Sequence, residues 1–251
     1  MIKKLFTEDS KGFIELLEVF GNDLTVVNAA RVSFHKESCE LSMRDEKLID
    51  YLAKHQHMSP FFHPIIRFRI KMPIFVTREW WRHTIGFTRN EVSRRYVMDT
   101  PDIFVPSKLR MRDKNLKQGS KEEAITQNEE FVQKMNQYTK KVLVYYNFLL
   151  ENDVCPEQAR MVLPQSMYTE YIETASLGGY ARLVKLRVDA TAQREIQQYA
   201  HMIDKILQEQ FPVSWKALMK HPNQEEQTDE YKAGQLDRVD GKKTQHDRTI
   251  L

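Results

Sequence analysis

The sequence predicts an α+β fold, a helix-rich single domain around a small, mainly antiparallel sheet. Three observations predict it. Helical periodicity fills most of the second half, one clear period-2 run stands in the first half, and strands do not alternate regularly with helices as in a parallel α/β sheet. The 251 residues are 41% hydrophobic and 29% charged, an ordinary globular composition with enough chain to bury a real core. The domain is expected over 1–221. Beyond it the polar run His221-Pro-Asn-Gln-Glu-Glu and onward holds too little apolar surface to offset its ordering entropy, so 222–251 reads as a disordered tail.

The elements follow in order. Ile66-Arg-Phe-Arg-Ile-Lys-Met72 alternates apolar and basic side chains, which predicts a half-buried strand. Pro73 suits a helix start, after which Arg78 and Arg82 stand one turn apart, and Gly86 ends the run. A loop is then predicted to carry Arg89, Asn90, Glu91, Ser93, Arg94 and Arg95. The stretch 110–128, rich in Lys, Arg, Gln and Glu, reads as a second exposed loop. Phe131, Met135, Tyr138, Val142, Tyr145 and Leu149 recur at helical spacing, and Pro156 opens a short helix through Ala159. Met167 to Thr174 reads as a strand. Thr191 to Gln210 puts Ile196, Tyr199, Ile203, Ile206 and Leu207 on one helical stripe.

Several function classes recede at this stage. Cys39 and Cys155 are the only cysteines and lack metal-ligand spacing, which favours a reducing compartment. The N-terminus turns polar at once and lacks a signal-peptide core. No run reaches the ~18 apolar residues of a membrane span, so a soluble, cytoplasmic protein is expected. His57, His63 and His83 have no carboxylate or thiol at ligand spacing, and no metal is expected. The net charge of +3 neither requires nor excludes a nucleic-acid partner.

The informative segment runs from Pro73 to Tyr96. Five arginines and no lysine fall between 78 and 95, interleaved with Asn90, Glu91 and Ser93. Planar guanidiniums suit bidentate phosphate recognition, and the mixture of donors and acceptors suits a polar anionic ligand such as a nucleotide. Two plainer readings stay open: a solvated basic helix, and a nucleic-acid groove with Trp80, Trp81 and Phe87 as stacking platforms.

Here the sequence resembles the flavin-dependent thymidylate synthases. Their signature is Arg-His-Arg, about seven residues, then Ser. Arg82-His83-Thr84 and Ser93 match it, with Thr84 in place of the second arginine and eight residues intervening. Asp23 to Ser33 resembles the family's N-terminal strand and turn, His57-Met-Ser-Pro-Phe-Phe-His63 its His-x-Ser/Thr-Pro-Phe-x-His element, and Ala159-Arg-Met-Val-Leu-Pro164 and Leu186 to Tyr199 its C-terminal half. These motifs are collinear from about 12 to 218.

The resemblance implies reductive methylation of dUMP to dTMP, with 5,10-methylenetetrahydrofolate as carbon donor and reduced FAD, renewed by NADPH, as hydride source. It implies a homotetramer whose sites are shared between subunits, with neither nucleic-acid nor membrane partners. Ser59, Arg82, His83, Thr84, Glu91, Ser176 and Arg182 are the implied FAD contacts. Glu79, Arg82, Glu91, Val92, Ser93, Arg94, Arg95, Arg160 and Arg187 are the implied nucleotide contacts. Arg187 is the implied catalytic residue, touching uracil and favouring its N3-deprotonated, polarised form. Its plain alternative is a surface cation paired with Asp189 or Glu195. Relatives often have glutamine at Glu79, which here needs a cationic partner such as Arg78. They often have Asn and Arg at Ser176 and Gly178, an amide at Arg182 and histidine at Thr191, so Arg89 and Arg182 are candidate substitute cations for FAD. A cysteine-dependent thymidylate synthase would need an activated thiol, for which Cys39, between Ser38 and Glu40, is badly placed.

Overall fold

Ile66, Phe68, Ile70 and Met72 point inward and are fully buried, while Arg67, Arg69 and Lys71 face the other way, so the alternating run is a strand, β3 (Ile65–Pro73). The computed structural model describes residues 3–114 and 119–221. The tail predicted over 222–251 lies outside the described residues.

β3 sits at the centre of a five-stranded sheet with β1 (Lys4–Phe6), β2 (Phe13–Phe20), β4 (Phe87–Glu91) and β7 (Tyr168–Ser176), in the order β1-β2-β3-β7-β4. Every pairing is antiparallel. The other elements are α1 (Asp23–Arg31), α2 (Met43–Lys54), α3 (Ile74–Trp80), α4 (Asn128–Glu151), α5 (Pro156–Ala159), α6 (Leu177–Arg187), α7 (Arg194–Gln210) and α8 (Ser214–Lys220), with β5 (Arg110–Arg112) and β6 (Ser120–Ala124) forming a separate two-stranded unit. This is the α+β architecture the sequence predicts.

Helices cover one face of the sheet. Ile196, Tyr199, Ile203, Ile206 and Leu207 of α7 lie in one core with the inward row of β3 and with Leu177, Tyr180, Leu183 and Val184 of α6. Each such aliphatic side chain contributes about 1.5–3 kcal/mol of burial. The buried Asp23 carboxylate accepts from the backbone N–H groups of Val213 and Ser214 at 3.1 and 2.8 Å, which ties the start of α8 to α1.

Three local expectations need correction. Asp23 to Arg31 is a helix and not a strand, because Asn22 and Thr25 form a reciprocal capping box, with Asp23 in the first turn and Arg31 in the last. Phe87 to Glu91 is the edge strand β4 and not a loop. Gly86, at φ 77°, turns the chain back onto β7, a left-handed conformation that costs glycine little. Within 110–128 the described residues include β5 and β6, and Arg110 Nη1 pairs with Glu195 of α7 at 3.0 Å.

Candidate functional site

The β4–β7 register sets Arg89 directly opposite Glu173. Arg89 Nε donates to Glu173 Oε2 at 2.5 Å, and Trp80 Nε1 donates to the same carboxylate at 3.2 Å. Glu173 is completely buried. Burial pushes its carboxyl up from the ordinary range, and the Arg89 guanidinium pulls it back. The other arm of Arg89, Nη2, donates to the backbone carbonyl of His83 at 2.7 Å. A buried ion pair therefore anchors the turn that carries His83.

The His83 ring meets the last residue of α6. Arg187 Nε donates to His83 Nε2 at 3.0 Å, which leaves the imidazole proton on Nδ1. Burial, then the positive charges of Arg187, Arg89 and Arg182, lower the His83 pKa from 6.5 to about 4. The ring is neutral at neutral pH. Arg187 Nη1 pairs with Glu79 Oε1 at 2.5 Å, joining α6 to the C-terminal turn of α3. Glu79, Arg82 and Arg187 line a cavity of about 1030 Å³, together with Thr191, Gln193 and Arg194.

The partner expected for Glu79, Arg78, is replaced by Arg187. Asp189 and Glu195, the alternatives for Arg187, are engaged elsewhere: Asp189 accepts from Thr191 Oγ1 at 2.5 Å, and Glu195 holds Arg110. Arg187 is thus a half-buried cation facing a cavity, not a solvated one on a helix surface.

A second group gathers past the end of β4. Glu91 Oε1 accepts from Thr169 Oγ1 at 2.6 Å. Asn90, Glu91, Val92 and Arg94 line a separate cleft of about 430 Å³. Arg94 Nη1 donates to the carbonyl oxygen of Asp99 at 2.6 Å, and the Ser93 hydroxyl accepts from Arg95 N at 3.3 Å. Glu157 links this group to α5: its carboxylate pairs with Arg95 Nε at 2.9 Å, and its carbonyl accepts from Arg160 Nε at 3.4 Å. The structure brings Arg95 and Arg160 together, yet leaves them in a different group from Arg187.

A flavin dinucleotide needs cations for its diphosphate and polar groups for its ring. Arg82 and Thr84 are exposed beside the neutral His83, and Arg182 is exposed on α6 near enough to shift that ring. Ser59 is exposed at the start of a short 3-10 turn, Ser59–Phe62, that packs on the N-terminal end of α6. These residues fit such a group. Two neighbouring positions have roles in the fold. Ser176 is buried, and its hydroxyl caps α6 by accepting from Gly179 N at 3.2 Å. A Cβ on Gly178 would lie 2.7 Å from the Phe62 ring, so any larger residue there would have to displace that ring. Arg89, offered above as a substitute cation for FAD, is occupied by Glu173 and His83.

Glu173 and Glu157 were not singled out from the sequence. Glu173 had a signal, since a carboxylate in the period-2 row Thr169, Tyr171, Glu173, Ala175 breaks an otherwise inward-facing strand face. Glu157 had none.

A family model described as thymidylate synthase complementing protein matches residues 15–213. A protein of Kosmotoga olearia named flavin-dependent thymidylate synthase is 42% identical over 210 residues, covering 83% of this chain and 90% of that protein. One of Thermus thermophilus with the same name is 38% identical over 211 residues, covering 84% of this chain and 77% of its own. Among solved structures, a UMP/dUMP methylase from Streptomyces cacaoi bound with 5-Br dUMP superposes with a TM-score of 0.75 at 28% identity, covering 83% of this chain and 94% of the other.

Proposed function

The chain belongs to the flavin-dependent thymidylate synthase family, and from that premise we propose that it methylates dUMP to dTMP with 5,10-methylenetetrahydrofolate as carbon donor. FAD, reduced by NADPH, supplies the hydride when bound. The observation that carries the reading is the half-buried Arg187 held between Glu79 and the neutral His83 at a cavity wall.

The residues divide the work. Arg187 touches the uracil ring and stabilises negative charge as it develops there, which lowers the barrier more than it tightens ground-state binding. Because His83 is neutral, it orients Arg187 without adding a competing charge. Arg94, Arg95 and Arg160, with Ser93 and the backbone at Glu91 and Val92, hold the phosphate and ribose of a nucleotide. Arg82, Thr84, Arg182 and Ser59 hold the flavin nucleotide. Within one chain Arg187 lines one cavity while Glu91, Val92 and Arg94 line another, which supports sites completed by a neighbouring copy in a homotetramer. The domain spans 1–221, and the setting is cytoplasmic. Among the described residues no helix is long and apolar enough to cross a membrane.

Both cysteines are exposed and unpaired, and the proposed route has no thiol nucleophile. The purified protein is expected to show the absorbance of bound flavin and to form dTMP only when dUMP, the folate and NADPH are all supplied. Turnover should survive in the Cys39→Ala, Cys155→Ala double variant. Arg187→Ala should lose turnover by ~100-fold or more with flavin content retained, the usual size for removing one electrostatic stabiliser. Arg187→Lys should recover only part of it, because a point charge cannot reproduce the planar two-pronged contact. Full turnover by Arg187→Ala at saturating dUMP would remove Arg187 from the mechanism.

A further inference from the structure

The buried Glu173 carboxylate grips the end of α3 at two points. Trp80 Nε1 donates to both of its oxygens at 3.2 Å, and Arg89 Nε donates to Oε2 at 2.5 Å. Arg89 carries the grip three residues further, because its Nη2 donates to the His83 carbonyl at 2.7 Å. Between these points the His83 N–H donates to the Trp80 carbonyl at 3.2 Å, so 80–83 is a closed turn clamped at both ends. Aromatic rings confine the guanidinium that does the clamping: its centre lies 4.8 Å from the Phe87 ring centroid and 5.9 Å from that of Trp81.

Arg187 takes its direction from the same stretch of chain. Glu79 Oε1 and His83 Nε2 accept from it at 2.5 and 3.0 Å, and both acceptors belong to 79–83. A long side chain without such anchors samples many rotamers. We propose that Glu173 and Arg89 are positioning residues for the reaction: through the His83 turn they hold Arg187 at the angle at which it meets the substrate. This rests on the function proposed above, in which Arg187 acts on the uracil ring. Neither residue is part of the cavity lining to which Glu79 and Arg187 belong, so their effect on turnover passes through the turn.

The energetics favour this role over a purely structural one. The Glu173 side chain is fully buried and that of Arg89 is 12% exposed, so both charges lose most of their hydration. Desolvation offsets much of the attraction in such a pair, and apolar residues of similar volume often hold a core as well. What the pair supplies is direction. A planar guanidinium sets its donors at fixed angles, one toward the carboxylate and one toward the His83 carbonyl, whereas apolar contacts fix no angle.

Two variants of the full-length protein, assayed at saturating flavin, separate position from stability. In Arg89→Lys the ammonium still neutralises Glu173, but a point charge does not reproduce the fork that also reaches His83. In the Arg89→Met, Glu173→Met double variant the clamp is gone while an apolar pair holds the core. Both should unfold in denaturant near the wild-type midpoint and yet lose kcat by ~10-fold or more, the cost of a misplaced catalytic group. KM for dUMP should stay within ~3-fold, because the interaction lost belongs to the transition state. Added to Arg187→Ala, either change should cost less than ~2-fold further, since the residue it acts through is gone. In Arg89→Lys, which keeps the charge at 89, the His83 midpoint in an NMR titration should rise from about 4 as the ring parts from Arg187. Wild-type kcat in either variant would overturn the proposal and leave the thymidylate synthase reading standing. An undiminished loss in the Arg187→Ala background, or an unmoved His83 midpoint, would overturn it too, since the pair would then serve the core alone. If the wild-type protein forms no dTMP, the functional reading itself fails and takes this inference with it.

Discussion

His83 shows how one side chain can be set by its neighbours. Its ring is partly buried and faces three guanidiniums, so the charged form is disfavoured and the pKa falls from 6.5 to about 4. Folding thus lowers the proton affinity of this group. Between about pH 6.5 and 4 the unfolded chain binds the proton more readily than the folded one, so the His83 contribution to stability is present above pH 6.5 and is lost as pH falls through that window. The ring resonances of His83 in an NMR titration should stay flat from pH 8 to about 5 and move only near pH 4. A midpoint near 6.5 would mean that the ring is not buried beside these guanidiniums in solution. The same geometry explains why Arg187 is a poor subject for sequence reasoning: its partners, Glu79 and His83, are 108 and 104 positions away.

At the scale of the element, β4 decides which cations are available. Five residues pair this edge strand with β7 and oppose Arg89 to Glu173. An arginine that looked like a ligand for phosphate is thereby committed to a carboxylate in the core. Arg89→Ala should destabilise the protein by ~3–5 kcal/mol, because it leaves an uncompensated charge in the interior. Denaturant unfolding measures this, and the Arg89→Met, Glu173→Met double variant should recover most of the loss, since removing both charges removes the desolvation cost along with the pair. A weaker affinity of Arg89→Ala for flavin would follow from the freed His83 turn and would not make Arg89 a flavin contact. If Arg89→Ala is as stable as wild type, the ion pair is not formed in solution.

For the whole molecule, α4 is the element that a single chain leaves unsatisfied. Its apolar stripe was legible from spacing, yet Tyr138 and Tyr145 are 64% and 52% exposed, and only Thr139 and Tyr146 of the helix are buried. A helix of 24 residues with an open aromatic face suits association with further copies, in line with closed symmetric homo-oligomers as the common outcome. Flavin-loaded protein should sediment as a tetramer. Replacing Tyr138 and Tyr145 by glutamate should yield smaller species that lose flavin and turnover together. Sedimentation of the active, flavin-loaded protein as a monomer would defeat this.

The sequence by itself determined what depends on local pattern. The period-2 run became β3, the stripe on α7 became its buried face, Pro73 and Pro156 open helices, and the collinear motifs identify the family. Those features are legible because side-chain direction follows backbone period within one element. What only the tertiary structure decided is which charges meet. Glu79 found Arg187 and not its neighbour Arg78, Glu195 found Arg110, and Arg89 turned inward to Glu173. Ion pairs between elements are set by strand register and by where helices cross, and neither is written in the spacing of any one segment, so the sequence named the arginines and the fold assigned them their work.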